Sequence, residues 1–214
     1  MQRAKPQDFN VTDLREHWER AYKTKAETAV SWYQPFPAKS LELIGSAAPD
    51  VAASVIDIGS GASTLPDSLL KAGYSDITVL DVSAAALARS QERLGTDSER
   101  VKWLVTDITK WSPSRTWDVW HDRAVFHFLT VPSAQDSYIA ALQAGTHTGS
   151  TAIISTFALD GPERCSGLPV QRYSVQSLAE RIGPPFKLTE HQAERHLTPS
   201  GTTQSFIYTV LRRV

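Results

Sequence analysis

A turn of small residues follows the first apolar run of the chain. Residues 55–58 lead directly into Gly59-Ser60-Gly61, and a helical pattern begins a few residues later. Because glycine lacks a Cβ, the backbone of such a turn can approach a ligand closely and adopt dihedral angles that other residues avoid. Nucleotide-binding enzymes and purely structural strand–helix turns share this pattern, so the turn alone is weak evidence for a cofactor.

Acidic residues near the ends of three successive apolar runs strengthen this evidence. Asp57 precedes the glycine turn, Asp81 ends the second run and Asp107 ends the third. Asp81 lies about twenty residues beyond the glycines, where a carboxylate can accept both hydroxyls of a ribose. Asp107 can accept from the exocyclic amine of an adenine. Each acid taken alone fits an exposed strand end or a helix cap, but their joint spacing favours a nucleoside site.

A fourth group of titratable residues lies in the segment 117–128, which contains Arg123 and His127. An imidazole titrates near neutral pH, so His127 is a candidate general base that removes a proton from an acceptor. Its neighbours Phe126 and Phe128 favour the alternative of a packed structural histidine. The sequence leaves both interpretations open.

Strands and helices that alternate along the chain must position these groups. Hydrophobic periodicity predicts strands at 53–58, 77–80, 101–105, 117–120 and 151–157, with helices at 65–72, 84–94 and 134–144 between them. Two further strands, 186–197 and 203–212, flank a Pro-Gly turn and predict an antiparallel hairpin. Helices at 11–23 and 37–46 predict a cap over the carboxyl edge of the sheet.

These elements predict an α/β fold: a doubly wound, mostly parallel seven-stranded sheet with helices on both faces, a C-terminal antiparallel hairpin and an N-terminal helical cap. A chain of 214 residues suits a single domain. We expect residues 1–48 to form the cap and residues 49–214 the core.

Composition narrows the possible functions. A net charge of −1 provides no strong field for nucleic acid or an anionic membrane. The single cysteine, Cys165, precludes an internal disulfide, and no zinc-like cluster of Cys and His is present, so no metal is predicted. The chain lacks a secretory signal and a membrane-spanning run, which predicts a cytoplasmic protein.

The glycine turn and its acidic partners resemble the class I S-adenosylmethionine-dependent methyltransferases over about residues 50–160. The third small position of the family's loop is Ser63 here instead of glycine. The resemblance implies a Rossmann-like fold and S-adenosylmethionine as cofactor. It assigns cofactor contacts to Asp57, Gly59, Gly61, Asp81, Val82, Asp107, Ile108 and Arg123.

The N-terminal segment carries a second resemblance. His17-Trp18-Glu19-Arg20-Ala21-Tyr22, followed by Ser31-Trp32-Tyr33, is similar to the opening of small lysine methyltransferases that act on elongation factors and of related bacterial enzymes. This resemblance implies that Trp18, Tyr22 and Trp32 contact the cofactor, whose sulfonium suits aromatic faces. Hydrophobic packing of a capping helix is the alternative explanation.

The implied activity is methyl transfer by in-line displacement, in which orientation contributes most of the rate enhancement. Few insertions are available to build a protein-docking surface, which favours a small-molecule acceptor over a protein lysine. The irregular segment 160–173 is expected to line the acceptor pocket. A nicotinamide-dependent oxidoreductase is disfavoured by Asp107 and the final hairpin, and a non-catalytic S-adenosylmethionine-binding module is a further alternative. The sequence does not predict an oligomeric state.

Overall fold

Parallel strands dominate the computed structural model, which describes residues 11–24 and 26–214. The strands are β1 (Ser54–Ile58), β2 (Asp76–Asp81), β3 (Val101–Val105), β4 (Trp117–Arg123), β5 (Thr146–Phe157), β6 (Arg164–Cys165), β7 (Leu168–Pro169), β8 (Phe186–Leu197) and β9 (Thr203–Arg213). Seven of them form one sheet in the order β3-β2-β1-β4-β5-β9-β8. Only β9 is antiparallel to its neighbours, which confirms the predicted mostly parallel sheet and C-terminal hairpin.

The helices cover both faces of this sheet. They are α1 (Val11–Thr24), α2 (Ala38–Ala47), α3 (Leu65–Ala72), α4 (Ala84–Leu94), α5 (Pro132–Ala144) and α6 (Val175–Ile182). Adjacent residues of β1 face the helices on opposite sides of the sheet. Val55 packs with α2 and α3, whereas Ile56 packs with α5 and α6. Both are fully buried, as expected for a strand of a parallel sheet that is covered on both sides.

Several predicted boundaries were wrong. β4 continues to Arg123 instead of ending at residue 120, and β5 begins at Thr146 instead of 151. β3 spans Val101–Val105 as predicted, so Asp107 lies two residues beyond its end. Helix α6 and the short pairing between β6 and β7 were not predicted. The titratable residues at the end of β4 interrupt its run of apolar residues, so the strand was predicted too short. Helix α6 has only eight residues, which is too few for a clear helical periodicity.

The carboxyl ends of the parallel strands meet at one edge of the sheet. There the glycine turn after β1, the end of β2 and the turn after β4 approach α1, Trp32 and the β6–β7 pair. Ligands of open α/β sheets bind in crevices at this edge. Across the described ranges, no helix combines the length and apolar character that crossing a membrane requires.

Candidate active site

A cavity of about 630 Å³ opens at the carboxyl edge of the sheet. Its volume is within the range of about 300–1,000 Å³ typical of small-molecule sites. Most of the residues that were predicted to contact a cofactor line it: Trp18, Tyr22, Trp32, Gly59, Asp81, Val82, Asp107, Ile108 and Arg123. The other predicted site residues, Asp57, Gly61 and His127, lie behind its wall.

The glycine turn is shaped by both backbone conformation and space. Gly59 and Gly61 have φ angles of +61° and +59°, in the left-handed region that favours glycine. A Cβ on Gly59 would lie 2.0 Å from the nearest methyl carbon of Val125, and one on Gly61 would lie 2.1 Å from the hydroxyl oxygen of Tyr22. Neither position therefore accepts a larger residue without displacing a neighbour.

Asp81, the last residue of β2, stabilises the glycine turn through its side-chain carboxylate. Its Oδ2 accepts a hydrogen bond from the Gly61 N–H at 2.8 Å, and its Oδ1 accepts from the Ser83 N–H at 2.8 Å. Burial raises the pKa of the Asp81 carboxyl to about 6, although these backbone donors oppose the shift. The carboxylate thus orders the loop and also lies on the cavity wall.

Asp107 and Ile108 line the cavity beyond β3, which is the strand next to the one that ends in Asp81. Oδ1 of Asp107 accepts from the backbone N–H and the side-chain hydroxyl of Thr109, at 2.9 and 2.7 Å. Its buried Oδ2 has no hydrogen-bond partner among the described residues, and the Lys110 ammonium lies 3.9 Å away. A buried acceptor without a hydrogen-bond donor costs free energy, so this oxygen is suited to accept a hydrogen bond from a ligand.

Aromatic side chains from α1 and the following segment roof the cavity. The indole N–H of Trp32 donates to the Tyr22 hydroxyl at 3.2 Å. Trp18 packs edge to face against Trp32 and Phe128, with ring centroids 5.5 and 5.1 Å apart. Tyr22 is buried, and this burial raises the pKa of its phenol far above the ordinary value. The roof therefore presents flat apolar faces and edges rather than ionised groups.

The roof is attached to the core through Glu19. Its Oε2 accepts from the Ser83 hydroxyl at 2.8 Å and from the Ala85 N–H at 3.1 Å, so α1 supplies an acceptor at the N-terminus of α4. A second contact joins His17 Nε2 to the Ser166 hydroxyl at 3.4 Å. Helix α1 thus connects the N-terminus of α4 with the β6–β7 pair.

Arg123, at the end of β4, is held by three oxygen acceptors. Its guanidinium donates to the Tyr208 hydroxyl at 3.1 Å, the Trp32 carbonyl at 3.2 Å and Glu194 Oε2 at 3.3 Å. The same group lies 4.6 Å from the ring centroid of Phe206. The sequence resemblance singled out Arg123, but its partners on the C-terminal hairpin were not predicted.

A buried polar chain behind the glycine turn was also not predicted. Asp57 Oδ1 lies 2.7 Å from His121 Nδ1, and His121 Nε2 lies 2.9 Å from the hydroxyl of Ser40, which reaches Tyr208 at 3.3 Å. These residues, apart from Tyr208, line a separate cavity of about 50 Å³. Asp57 and His121 are direct register neighbours on β1 and β4. The predicted fourth strand ended at residue 120, one residue before His121.

The structure places His127 outside the large cavity. The side chain is fully buried, with its ring centroid 4.7 Å from that of Phe157 and its Nδ1 accepting from the Phe157 N–H at 3.3 Å. Burial, followed by the nearby Arg123 charge, lowers the pKa of His127 to about 3. Because Nδ1 is already engaged, the neutral ring carries its proton on Nε2 and has no free lone pair for an acceptor.

The β6–β7 pair, which belongs to the segment 160–173, closes the far end of the cavity with Arg164, Cys165, Leu168 and Pro169. The thiol of Cys165 is buried, and this burial raises its pKa to about 11. It packs near Phe128, Phe206 and Trp32. The thiol is therefore an apolar part of the wall and not a nucleophile.

Comparisons with known proteins agree with this geometry. Residues 55–149 match the family model described as a methyltransferase domain. A search of curated proteins found no match. Among solved structures, the chain resembles an S-adenosylmethionine-dependent methyltransferase from Anabaena variabilis, with a TM-score of 0.76, 14% identity and coverage of 100% of this chain and 99% of that one.

Two further structures share the fold. A 1,6-didemethyltoxoflavin N1-methyltransferase from Burkholderia thailandensis has a TM-score of 0.71 and 19% identity, covering 100% of this chain and 92% of that one. The glycopeptide N-methyltransferase MtfA has a TM-score of 0.66 and 12% identity, covering 89% and 99%. None of these comparisons confirms the resemblance of the N-terminal segment to lysine methyltransferases.

The doubly wound sheet, with its crevice at the carboxyl edge, is a Rossmann-like fold. Residues 55–149 match the methyltransferase-domain family model, and the whole chain shares the fold of S-adenosylmethionine-dependent methyltransferases.

Proposed function

We propose that this chain transfers the methyl group of S-adenosylmethionine to a small-molecule acceptor. The observation that carries the proposal is one continuous cavity with two unlike ends. Asp81 and Asp107 provide carboxylates at one end, and the other end is apolar and aromatic beneath α1 and the β6–β7 pair. Such a division suits a nucleoside cofactor beside an aromatic acceptor.

The residues at the first end fit the adenosyl part of the cofactor. Asp81 can accept from ribose hydroxyls, and the unpartnered Oδ2 of Asp107 can accept from the adenine amine. Gly59 exposes backbone where a side chain would collide with Val125. Trp18 and Trp32 offer aromatic faces to a sulfonium. When bound, the cofactor supplies an electrophilic methyl carbon.

The chain itself contributes orientation and exclusion of water. Tyr22 and Trp32 bond to each other above the glycine turn, and Arg123 is fixed through four different groups, so the walls are rigid. Correct placement of reactants accounts for about 7–11 kcal/mol of a barrier, which is enough to make a dedicated nucleophile unnecessary. His127 and Cys165 therefore need no direct part in the reaction.

A small molecule is favoured over a protein lysine because the aromatic end is covered. The contact of 3.4 Å between His17 Nε2 and the Ser166 hydroxyl joins α1 to the β6–β7 segment, and a protein chain that entered between these elements would have to separate them. The neighbour from Burkholderia was solved with its small-molecule acceptor bound, although MtfA acts on a glycopeptide. A lysine acceptor is thus the alternative to test.

Two measurements test the proposal. Calorimetric titration with S-adenosylmethionine, S-adenosylhomocysteine and NAD should show binding of the adenosyl ligands alone. Incubation of the protein with a cell extract and tritiated S-adenosylmethionine should then place the label in the low-mass fraction. Label in protein would favour the lysine alternative, and binding of NAD alone would contradict the assigned cofactor site.

A further inference from the structure

We propose that the acceptor is a flat aromatic small molecule that binds as an anion and is methylated on an ionised sulfur or oxygen. This inference rests on the proposed function and names the class of its substrate. It follows from three properties of the acceptor end of the cavity: the shape of its walls, the sign of its charges and the lack of a proton acceptor.

The walls of the acceptor end are aromatic and closely spaced. Trp18, Trp32 and Phe128 meet edge to face, with centroids 5.1 to 5.5 Å apart, and Phe206 adds a fourth ring below Arg123. Trp32 belongs to the packing of both the roof and the Cys165 region, so these rings form one enclosure. Flat aromatic ligands gain stacking and edge-to-face contacts in such a space.

The charges on the wall are segregated. The acids Asp81 and Asp107 lie at the ends of β2 and β3, whereas Arg123 is on β4 and Arg164 on β6. Because β2 and β3 are two and three strands away from β4 in the sheet order, their ends lie about 10 Å and about 14 Å from the end of β4 that carries Arg123. Within the described part of the chain, the acceptor end is therefore lined by cations and no carboxylate.

The two arginines differ in how far they are neutralised. Glu194 accepts from Arg123 at 3.3 Å and offsets its charge. Arg164 donates to the carbonyl of Gly167, and no carboxylate of residues 11–24 or 26–214 forms an ion pair with it. Arg164 is exposed, so solvent weakens its field and the excess positive charge at this end is modest. The sign of this charge favours an anion over an ammonium group such as that of lysine.

Among the described residues that line this end, none is able to accept a proton from a neutral nucleophile. Cys165 and Tyr22 are protonated at neutral pH because burial raises the pKa of each, and His127 lies behind the wall. An acceptor with a weakly acidic N–H or O–H group would keep its proton. An acceptor that is already ionised in water needs no base.

The reaction balances without a proton acceptor. A lone pair of the anionic sulfur or oxygen forms the bond to the methyl carbon, and the electrons of the broken carbon–sulfur bond remain on the former sulfonium. The products are a neutral methyl thioether or ether and S-adenosylhomocysteine, and no proton is released.

The test uses three probes with the full chain. Para-nitrothiophenol has a flat ring and an ionised thiol, para-nitrobenzylamine has a similar ring with an ammonium, and mercaptoethanol has a protonated thiol without a ring. We expect only para-nitrothiophenol to bind the S-adenosylhomocysteine complex in calorimetry and to be methylated, with a rate that follows its own ionisation. Preference for the amine, or binding of none of the three to that complex, would overturn the inference.

Charge variants make the test specific. Arg164→Gln should weaken binding of para-nitrothiophenol about tenfold, and Arg164→Lys should recover part of it. Arg100→Gln is a matched control, because Arg100 is exposed at the amino end of β3, away from the cavity. Equal binding by Arg164→Gln and the wild type would contradict the role of this charge. Failure of S-adenosylhomocysteine itself to bind would instead overturn the proposed function.

Discussion

The hydroxyl of Tyr22 lies where the side chain of any other residue at position 61 would begin. A Cβ on Gly61 would be 2.1 Å from this oxygen and 2.9 Å from the ring carbon that carries it. Helix α1 therefore rests directly on the backbone of the glycine turn. The position of α1 and the conformation of the glycine turn are consequently coupled.

Gly61→Ala should uncouple them. The substitution combines a left-handed φ with a collision against a buried ring, and we expect it to lower the free energy of unfolding by about 2–3 kcal/mol. Affinity for S-adenosylhomocysteine should fall at least tenfold, because Tyr22 and Trp32 must move. Chemical denaturation and calorimetry measure the two effects.

Gly95 provides a matched control for this prediction. Its φ is +58°, almost the same as that of Gly61, but a Cβ there would meet no atom within 4 Å. Gly95→Ala should cost only the backbone strain, about 1–3 kcal/mol, and leave cofactor affinity unchanged. Equal losses in the two variants would mean that backbone strain alone, and not contact with Tyr22, explains the requirement for glycine.

Cofactor affinity should depend on pH through Asp81. Its pKa is about 6, and only the ionised carboxylate can accept from ribose hydroxyls in addition to Gly61 and Ser83. Affinity for S-adenosylhomocysteine should therefore be constant above about pH 7 and fall as the pH drops through 6, by up to about tenfold per unit.

Asp81→Asn distinguishes this group from others that titrate nearby. The variant should bind S-adenosylhomocysteine more weakly at neutral pH, and its affinity should no longer change with pH. Asp122 also has a pKa of about 6, but it is buried against Tyr138 outside the cavity. A pH dependence that persists in Asp81→Asn would assign the titration to another group.

The sequence predicted the parts of this molecule that depend on local pattern. Buried strands, amphipathic helices and the glycine turn each leave a periodic or compositional signal, so the sheet and the ends of β1 and β2 were predictable. The Asp57–His121 pair was not, because it depends on the register between β1 and β4. Register depends on two strands together, so the sequence of either strand alone does not predict it.

The contacts around Arg123 could not be predicted from local sequence pattern either. Glu194 and Tyr208 lie 71 and 85 residues farther along the chain, on two strands of a hairpin whose placement beside β5 fixes them. The titratable residues of β4 indicated a functional region, yet its partners depend on tertiary packing. His127 stood out as a polar residue among aromatics, and the structure buries it with them.

His127→Phe tests whether this histidine acts as a base. The ring accepts from the Phe157 N–H, so its loss should lower the free energy of unfolding by about 1–3 kcal/mol. The pH dependence of methyl transfer should stay unchanged, since the ring lies behind the cavity wall. His191→Phe, at an exposed position of β8, is the control for stability. A loss of about 10²-fold or more in rate, with normal cofactor binding, would support the predicted general base instead.

Glu19 should control how firmly the roof closes. Its carboxylate accepts from Ser83 and Ala85 at the start of α4, and a lost helix cap costs about 1 kcal/mol. Glu19→Ala should therefore weaken S-adenosylhomocysteine binding about threefold to tenfold and increase solvent quenching of Trp18 fluorescence. Lys23→Ala removes the ion pair to the same carboxylate, at 3.0 Å, but the Lys23 side chain is 64% exposed and such pairs contribute little. If both variants weaken binding equally, the charge of Glu19 matters more than its contact with α4; if only Glu19→Ala does, α1 is held closed by this cap.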